Sequence, residues 1–208
     1  MATFLRTLSY RYQSLYDAIS WLAALSVGGE ARFRQLALQN LQITSDTKVL
    51  DLCCGCGQTT KYLVSKSNSV VGLDISPVSL QRAAKNVPKA KYVEGLAQDM
   101  PLADSSFDMV HTSSALHEMT TSELEQIFAE VYRILKPGGI FTFIDFHAPT
   151  NFLFWFPLTM FMWLFETKTA WQLLKTDLPK KLNDAGLQFL NRSFHAGGSL
   201  QVIKAIKP

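Results

Sequence analysis

Two carboxylates and a glycine-bearing turn are the residues of this chain whose spacing could do chemistry. Asp51 lies near the end of an apolar run that leads into a turn with Gly55 and Gly57, and Asp74 ends the next apolar run, at residues 69–74. Glycines let a ligand approach the main chain, and the helix expected after the turn points its N-terminus at the same place. A carboxylate at Asp51 would repel a pyrophosphate but would suit a cationic group such as an ammonium. Asp74, about 20 positions beyond the glycines, is placed to accept hydrogen bonds from ribose hydroxyls.

The third position of the glycine pattern separates two classes of nucleotide cofactor. A dinucleotide fingerprint requires G-x-G-x-x-G, whereas Thr60 stands in the third place after Gly55 and Gly57. Asp74 alone suits both nicotinamide-binding and adenosyl-binding folds. The turn therefore favours an adenosyl cofactor, and a nicotinamide-dependent oxidoreductase is the alternative.

With later landmarks added, the chain resembles the class I S-adenosylmethionine-dependent methyltransferases over residues 45–146. The first motif of that family reads LDxGCGxG, and residues 51–57 follow it except that Cys53 stands where the family usually has its first glycine. Three further segments are similar to the adenine-side loop, the fourth strand and the turn before the fifth strand: residues 97–102, 106–110 and 135–139. The resemblance implies S-adenosylmethionine as the methyl donor and S-adenosylhomocysteine as the product.

The resemblance also implies which residues contact the cofactor. Leu96 departs from the family pattern, which often has an acid there for the adenine amino group. The expected cofactor contacts are Tyr16, Asp51, Cys53, Gly55, Gly57, Asp74, Ile75, Leu96, Ala97, Gln98 and Thr112.

The N-terminal residues narrow the resemblance to one group. Tyr16-Asp17, Gly28 and residues 32–34 are similar to the opening of the ubiquinone/menaquinone biosynthesis C-methyltransferases. In that group such residues form a helical lid over the cofactor. We therefore expect a lid at residues 1–44 and a methyltransferase core at residues 45–208.

Length and composition predict one globular domain. The chain has 208 residues, of which 48% are hydrophobic and only 18% are charged. These values suit a single well-buried core and argue against disorder. The formal net charge of +3 comes without a dense cluster of Lys and Arg, so nucleic acid is not an expected partner. The oligomeric state is left open.

The three cysteines predict reduced thiols and no metal. Cys53, Cys54 and Cys56 lie within four residues of each other, which allows no disulfide framework and lacks the spacing of zinc sites. No convincing secretory signal precedes them, since Asp17 interrupts the first apolar stretch. We expect a cytoplasmic protein.

Alternating strands and helices predict an α/β fold: a Rossmann-like class I methyltransferase sandwich in a single domain. Its sheet is expected to have seven strands, mostly parallel, with an antiparallel hairpin at the C-terminus joined through a glycine-bearing turn. Capping signals at Ser76-Pro77 and at Thr120 with Glu123 begin two amphipathic helices. The predicted strands are residues 47–52, 69–74, 91–94, 107–112, 140–146, 189–195 and 200–206, and further helices are predicted at 12–25, 30–41 and 176–185.

The methyl transfer that the resemblance implies requires the protein to align the methyl donor with the acceptor, and it requires no covalent catalytic residue. A sulfonium methyl is already activated, so orientation of the acceptor can contribute about 7–11 kcal/mol. A phenol-like acceptor must also lose a proton, which a base would accept. The candidate bases are His117 and Glu118, after the fourth strand, and His147, after the fifth. His117 could instead be a solvated residue at a helix entry, and Glu118 a charge that favours the helix dipole.

An apolar insertion at about residues 147–175 is the most individual part of the chain. Its aromatic and methionine residues make the segment apolar on nearly all sides, whereas a helix that packs only on a core has one apolar stripe. We expect a pocket for a hydrophobic small molecule, with a prenylated quinol or related lipid as the preferred acceptor, and peripheral contact with a membrane as a further role. Residues 152–165 are too short for the roughly 20 residues of a spanning helix. The expected substrate contacts are Phe146, His147, Trp155, Met162 and Trp163. A non-catalytic module that binds lipids or a partner is the alternative.

Overall fold

The computed structural model describes residues 24–208. Most of the predicted helix at residues 12–25 lies outside the described residues, and so does Tyr16, the expected lid contact.

Seven strands form one mixed sheet, which confirms the predicted fold class. The strand order is β3-β2-β1-β4-β5-β7-β6; β1 to β5 run parallel, and β7 is antiparallel to both β5 and β6. The strands are β1 (Lys48–Leu52), β2 (Ser69–Asp74), β3 (Lys91–Glu94), β4 (Phe107–Ser113), β5 (Leu135–Phe146), β6 (Gln188–His195) and β7 (Leu200–Ile206). The chain reverses its direction across the sheet between β1 and β4, where ligands of such sheets bind at the carboxyl ends of the strands.

Strand β5 begins five residues earlier than the predicted residue 140. Leu135 already pairs with Phe107, and the register between β4 and β5 then shifts before Met109. Gly138, with φ +79°, donates its N–H to the carbonyl of Lys207. The residues between 135 and 140 that predict a turn therefore form an irregularity inside the strand, because Lys207, directly after β7, bonds the N–H of Gly138 and the carbonyl of Gly139.

The helices of the described residues follow their capping signals. Thr120 and Glu123 form the predicted capping box, with the Glu123 carboxylate 2.7 Å from the Thr120 N–H. Ser76 is the N-cap of the helix at residues 77–86, and its hydroxyl accepts a hydrogen bond from the Ser79 N–H. The helices are α1 (Glu30–Gln35), α2 (Thr60–Leu63), α3 (Pro77–Asn86), α4 (Thr121–Ile134), α5 (Trp155–Phe165), α6 (Lys168–Leu173) and α7 (Leu178–Asp184). Short 3-10 turns occupy Leu25–Val27, Leu36–Leu38, Leu116–Glu118, Phe152–Phe154 and Ala196–Gly198. The predicted helix at 30–41 is thus α1 followed by a 3-10 turn.

Apolar side chains cover both faces of the sheet. Successive strand residues point to opposite faces of the sheet. Leu50 accordingly packs in the cluster on one face, which contains the buried side chains of α4. Val49 packs in a second cluster with Leu38 and Leu63. Asp51 shares the face of Val49, so its side chain points to the layer that holds α1 and α2.

The apolar insertion forms α5 and α6. Leu158 and Met162 bury one side of α5 against Ala170, with Phe146 from the end of β5 packed on the same cluster. This places α5 beside the carboxyl edge of the sheet. No helix in the described range is both long and apolar enough to span a membrane.

Candidate active site

The turn after β1 needs left-handed backbone at three positions. Cys53 has φ +55°, Gly55 +53° and Gly57 +85°. A Cβ on Gly55 would meet only the end of Gln58, at 3.5 Å, so the main chain there is open to a ligand. A Cβ on Gly57 would lie 3.3 Å from Val87, so Gly57 also lets the turn pack closely against α3 and its end. The turn therefore combines an open ligand face with a tight packing face.

Asp74 is fixed at the end of β2 by two backbone N–H groups. Its Oδ2 accepts from Gly55 at 2.8 Å and its Oδ1 accepts from Ser76 at 2.9 Å. The glycine turn and the second acid, which are separate in the sequence, thus form one rigid unit. The carboxylate is only half-buried, so its remaining lone pairs can accept hydrogen bonds from a ribose.

Two exposed apolar side chains stand on the same edge. Ile75, next to Asp74, is 63% exposed, and Leu96, after β3, is 41% exposed. Both were expected to contact the cofactor, and such exposed positions suit the faces of an adenine ring. Gln98 is half-buried beside them, while the Ala97 side chain is buried in the main core. Ala97 can therefore reach a ligand only through its backbone.

A small cavity of about 60 Å³ opens beside Asp51. The Asp51 side chain is buried and accepts from the Thr60 hydroxyl at 2.6 Å and from Nδ1 of His111 at 2.9 Å. His111 faces Asp51 directly across the β1–β4 register. Cys53 and Gly55 also line the cavity, so the predicted cofactor residues of the first motif surround one space.

Arg34 supplies a positive charge to this cavity; the family resemblance included it among the lid residues 32–34, but it was not among the expected cofactor contacts. Arg34 lines the cavity although the residue is only 7% exposed. Its Nε lies 3.7 Å from Glu30, too far for a hydrogen bond, and has no hydrogen-bond partner among the described residues. An available signal was the spacing: Arg34 precedes the apolar Leu38 by four residues, so it occupies the core-facing stripe of its helix.

The cavity fits the amino-acid end of S-adenosylmethionine. That group is a zwitterion, and the cavity presents the Asp51 carboxylate and the Arg34 guanidinium. The hydroxyls of Thr59 and Ser113 also line it, and neither has a hydrogen-bond partner in the described range. Thr112, the neighbour of Ser113 at the end of β4, is buried with its hydroxyl likewise unpartnered in that range. Buried polar groups of this kind are satisfied by a ligand or by water.

Two cysteines of the turn, Cys53 and Cys54, are neutral thiols. Burial, reinforced by the negative charges of Asp74 and Asp51, raises the pKa of Cys53 to about 12. Burial likewise raises the pKa of Cys54. Since the thiolate is the metal ligand and nucleophile, neither side chain is in the reactive form at neutral pH. Within residues 24–208, no group of three metal-binding side chains is close enough to hold an ion.

His117 lies in a buried ionic cluster between the sheet and the apolar insertion. Its Nδ1 is 2.7 Å from Asp145 of β5, and its Nε2 is 3.5 Å from Glu166, directly after α5. Burial alone would lower the His117 pKa, but the charge and hydrogen bond of Asp145, with the charges of Glu166 and Glu118, raise it from 6.5 to about 9. His117 is therefore an imidazolium at neutral pH.

His147 has a different environment. Its Nδ1 is 3.0 Å from the Gly198 carbonyl, which can only accept, so Nδ1 carries the proton and Nε2 carries a lone pair when the ring is neutral. The imidazole ring packs against the ring of Phe194, with 4.6 Å between the ring centroids. Glu118, the third candidate base, is half-buried at the end of the 3-10 turn that holds His117.

The predicted acceptor residues fall into two groups. Phe146 is half-buried and packs against both His117, at 4.6 Å between ring centroids, and Phe161 of α5, at 5.9 Å. Met162 is fully buried, whereas Trp155 is 43% and Trp163 is 72% exposed to solvent. The structure therefore brings Phe146 to the carboxyl edge of the sheet and directs the two tryptophans away from the core.

Comparisons with known proteins agree with this site. Residues 49–139 match the family described as "Methyltransferase domain". A protein of Synechocystis sp. that is named an uncharacterized methyltransferase is 57% identical over 205 residues, which cover 99% of this chain and 97% of the relative. A demethylmenaquinone methyltransferase of Lactobacillus johnsonii is 31% identical over 145 residues, which cover 65% of this chain and 58% of that relative.

A solved structure shares the fold. The TehB-like S-adenosylmethionine-dependent methyltransferase of Corynebacterium glutamicum superposes with a TM-score of 0.66 at 18% identity, covering 94% of this chain and 98% of that chain. The match to the Synechocystis protein over nearly its whole length establishes the family. The chain therefore belongs to the class I S-adenosylmethionine-dependent methyltransferases.

Proposed function

We propose that this enzyme transfers the methyl group of S-adenosylmethionine to a ring carbon or a hydroxyl oxygen of a hydrophobic small molecule, with a prenylated quinol as the acceptor class. The observation that carries the proposal is the position of the apolar insertion. Phe146 ends β5 at the carboxyl edge that holds the cofactor cavity, and it joins that edge to α5 through Phe161. The name of the Lactobacillus johnsonii relative, a demethylmenaquinone methyltransferase, supports a quinone-like acceptor.

The cofactor supplies an activated methyl group on a positively charged sulfur, and the chain supplies its orientation. We assign the ammonium to the Asp51 side of the cavity, the carboxylate to Arg34, and the ribose to Asp74. Ile75 and Leu96 would hold the two faces of the adenine. Because Asp74 is bonded to the backbone of the glycine turn, these contacts are held in place before a ligand binds, which is the condition for an orientation effect.

Residues 1–44 act in this proposal as a lid over the cofactor. Arg34 supports that role, since α1 brings its charge into the cavity from the layer above the sheet. Tyr16 is proposed as a further lid contact on the family resemblance alone, and the insertion at about residues 147–175 is proposed as the acceptor-binding element.

Among the three candidate bases, His147 has the hydrogen-bond geometry that a base requires. Its Nε2 carries a lone pair when neutral, whereas both nitrogens of His117 face carboxylates and the ring is charged. We therefore propose that His147 accepts the acceptor's proton, directly or through water, and that His117 holds the insertion in place. On this assignment His147→Gln lowers kcat at neutral pH with little effect on S-adenosylhomocysteine affinity. Unchanged turnover would remove His147 from the mechanism.

The alternatives left open by the sequence are set aside by family membership. A nicotinamide-dependent oxidoreductase and a non-catalytic binding module both conflict with the near full-length match to a methyltransferase.

The acceptor class is tested with labelled S-adenosylmethionine and two series of acceptors. Prenylated naphthoquinols with increasing chain length are compared with catechols of similar ring chemistry but no hydrocarbon chain. We expect transfer to the prenylated series and a higher acceptor KM in Phe146→Ala. Leu190→Ala is a matched control, because Leu190 is an exposed apolar residue on β6. Transfer only to the polar catechols would refute the hydrophobic acceptor while leaving the methyltransferase activity intact.

A further inference from the structure

An exposed apolar stripe runs along α5 and the turn before it. Phe152, Phe156, Met160 and Trp163 follow one another at helical spacing and are 78%, 76%, 49% and 72% exposed. Leu158 and Met162 lie on the opposite side of the helix and are buried. The helix is thus apolar on its protein face and also on its outer face, and the packing of the fold explains only the former.

The apolar area of this surface exceeds that of a typical apolar patch on a soluble protein. Leu153 and Trp155 extend it with exposures of 65% and 43%. Since a large apolar side chain can bury about 200 Å², the six side chains together expose on the order of 700 Å², above the few hundred Å² of a typical surface patch. We call these six residues, Phe152, Leu153, Trp155, Phe156, Met160 and Trp163, the α5 patch.

The charges around the patch favour an anionic surface. Residues 148–165 contain no charged side chain. The first acid after them, Glu166, faces inward to His117, with its side chain only 11% exposed. The base that follows this stretch faces outward, since Lys168 begins α6 and is exposed. The whole chain also has a net charge of +3.

We propose that the α5 patch docks this enzyme on the surface of a membrane that contains anionic lipids, with α5 lying in the plane of the interface. At 11 residues and about 1.5 Å per residue, α5 is far too short to cross the hydrocarbon layer of roughly 30 Å. Trp155 and Trp163 lie at its two ends, and tryptophan prefers the level of the lipid headgroups. The protein core takes the place of the polar face of a free interfacial helix.

Docking here would place the cofactor site next to the lipid phase. The inner face of α5 packs on Phe146, which contacts His117 at the carboxyl edge of the sheet. A hydrophobic acceptor could then pass from the bilayer to the site without crossing water. This last step rests on the proposed function, whereas the docking does not.

The test is flotation of the full chain with vesicles, at low salt. The vesicles are phosphatidylcholine alone and phosphatidylcholine with about one-third phosphatidylglycerol, which carries the negative charge. We expect binding to the anionic vesicles that weakens as salt rises. The double variant Phe152→Glu/Phe156→Glu should bind at least about tenfold more weakly, because charged side chains are costly within the hydrocarbon boundary.

Val78→Glu is the matched control, since Val78 is an exposed apolar residue, at 54%, on α3 near the opposite end of the sheet. It should bind vesicles as the unchanged protein does. Far-UV circular dichroism and S-adenosylhomocysteine affinity show whether the double variant is folded.

Three results would overturn the proposal: failure of the unchanged protein to float, equal binding by the double variant, or a dimer that the double variant dissociates in sedimentation while no vesicle is bound. The dimer would assign the α5 patch to a second copy of the chain. Because S-adenosylhomocysteine binding and methyl release are measured separately, vesicle binding can fail while the methyltransferase assignment stands, and the reverse is equally visible.

Discussion

Replacement of His117 gives the sharpest test of the ionic cluster. His117→Gln keeps a polar side chain of similar reach but removes the positive charge between Asp145 and Glu166. The His117 pKa is about 9 in the folded protein, against an ordinary value of 6.5. Since one pKa unit corresponds to about 1.4 kcal/mol, the charged ring contributes on the order of 3 kcal/mol to the free energy of unfolding. His117 is buried, so solvent screening reduces this value little.

The sign of the effect sets the pH window. The folded pKa is raised, so the contribution is fully present below the ordinary value of 6.5 and is lost as the pH rises through about 9. The difference in free energy of unfolding between the unchanged protein and His117→Gln should therefore be larger at about pH 6 than at about pH 10, by about 3 kcal/mol. Taking the difference between the two proteins cancels the titration of groups that they share.

Urea unfolding at these two pH values, followed by far-UV circular dichroism, measures the difference. Glu166→Gln is a graded control, because it removes the weaker of the two contacts, at 3.5 Å, and leaves the Asp145 contact at 2.7 Å. Its pH-dependent loss should be smaller than that of His117→Gln. An equal stability gap between unchanged protein and His117→Gln at both pH values would refute the charged cluster, and would restore His117 as a candidate base.

Three further predictions concern the cofactor half of the site. Arg34→Gln should weaken S-adenosylhomocysteine binding by about 1.5–3 kcal/mol in calorimetry, the range of a charged hydrogen bond; an unchanged dissociation constant would place the carboxylate elsewhere. Cys53→Gly should raise the free energy of unfolding by about 1 kcal/mol, because it relieves a left-handed backbone at φ +55°, and a loss of stability in urea unfolding would contradict that cost. Gly72→Ala should lower the free energy of unfolding by about 1–3 kcal/mol through overpacking, since its Cβ would lie 2.8 Å from the Cys54 Sγ; a stability equal to that of the unchanged protein would show that the turn yields easily.

The meeting of Asp51, Asp74 and the glycine turn at one sheet edge could be predicted from sequence, because these residues are local to one turn or follow strand ends. Asp51, Asp74 and the glycine turn each end an apolar run, and parallel strands bring such ends to one edge. The capping box at Thr120 was equally visible, because it lies within four consecutive residues. The same locality explains why the sequence showed Cys53 in a glycine position, though not the positive φ that makes glycine usual there.

Contacts that depend on strand register or on distant segments could not be predicted. Asp51 meets His111 only because β1 and β4 pair with these residues opposite each other, 60 positions apart. His117 was predicted as a candidate base, with a solvated helix entry as the alternative, and its partner Asp145 lies 28 residues further on. Arg34 could have been suspected from its place on an apolar stripe, but its cavity is formed by residues of two other segments, 51–59 and 113–114.

The two halves of the site are therefore held by different forces. Backbone N–H groups hold Asp74, and strand register places His111 beside Asp51, so the proposed cofactor half is tied to the backbone of the sheet. The acceptor half depends on side chains: the packing of Phe146 against α5, and the cluster that ties Glu166 to Asp145 through His117. Segments held by few contacts open locally at a lower free energy than core strands do. If the acceptor binds as proposed, its exchange would thus involve movement of α5 before that of the cofactor pocket, and the alkaline loss of the His117 charge would loosen the packing of α5 first.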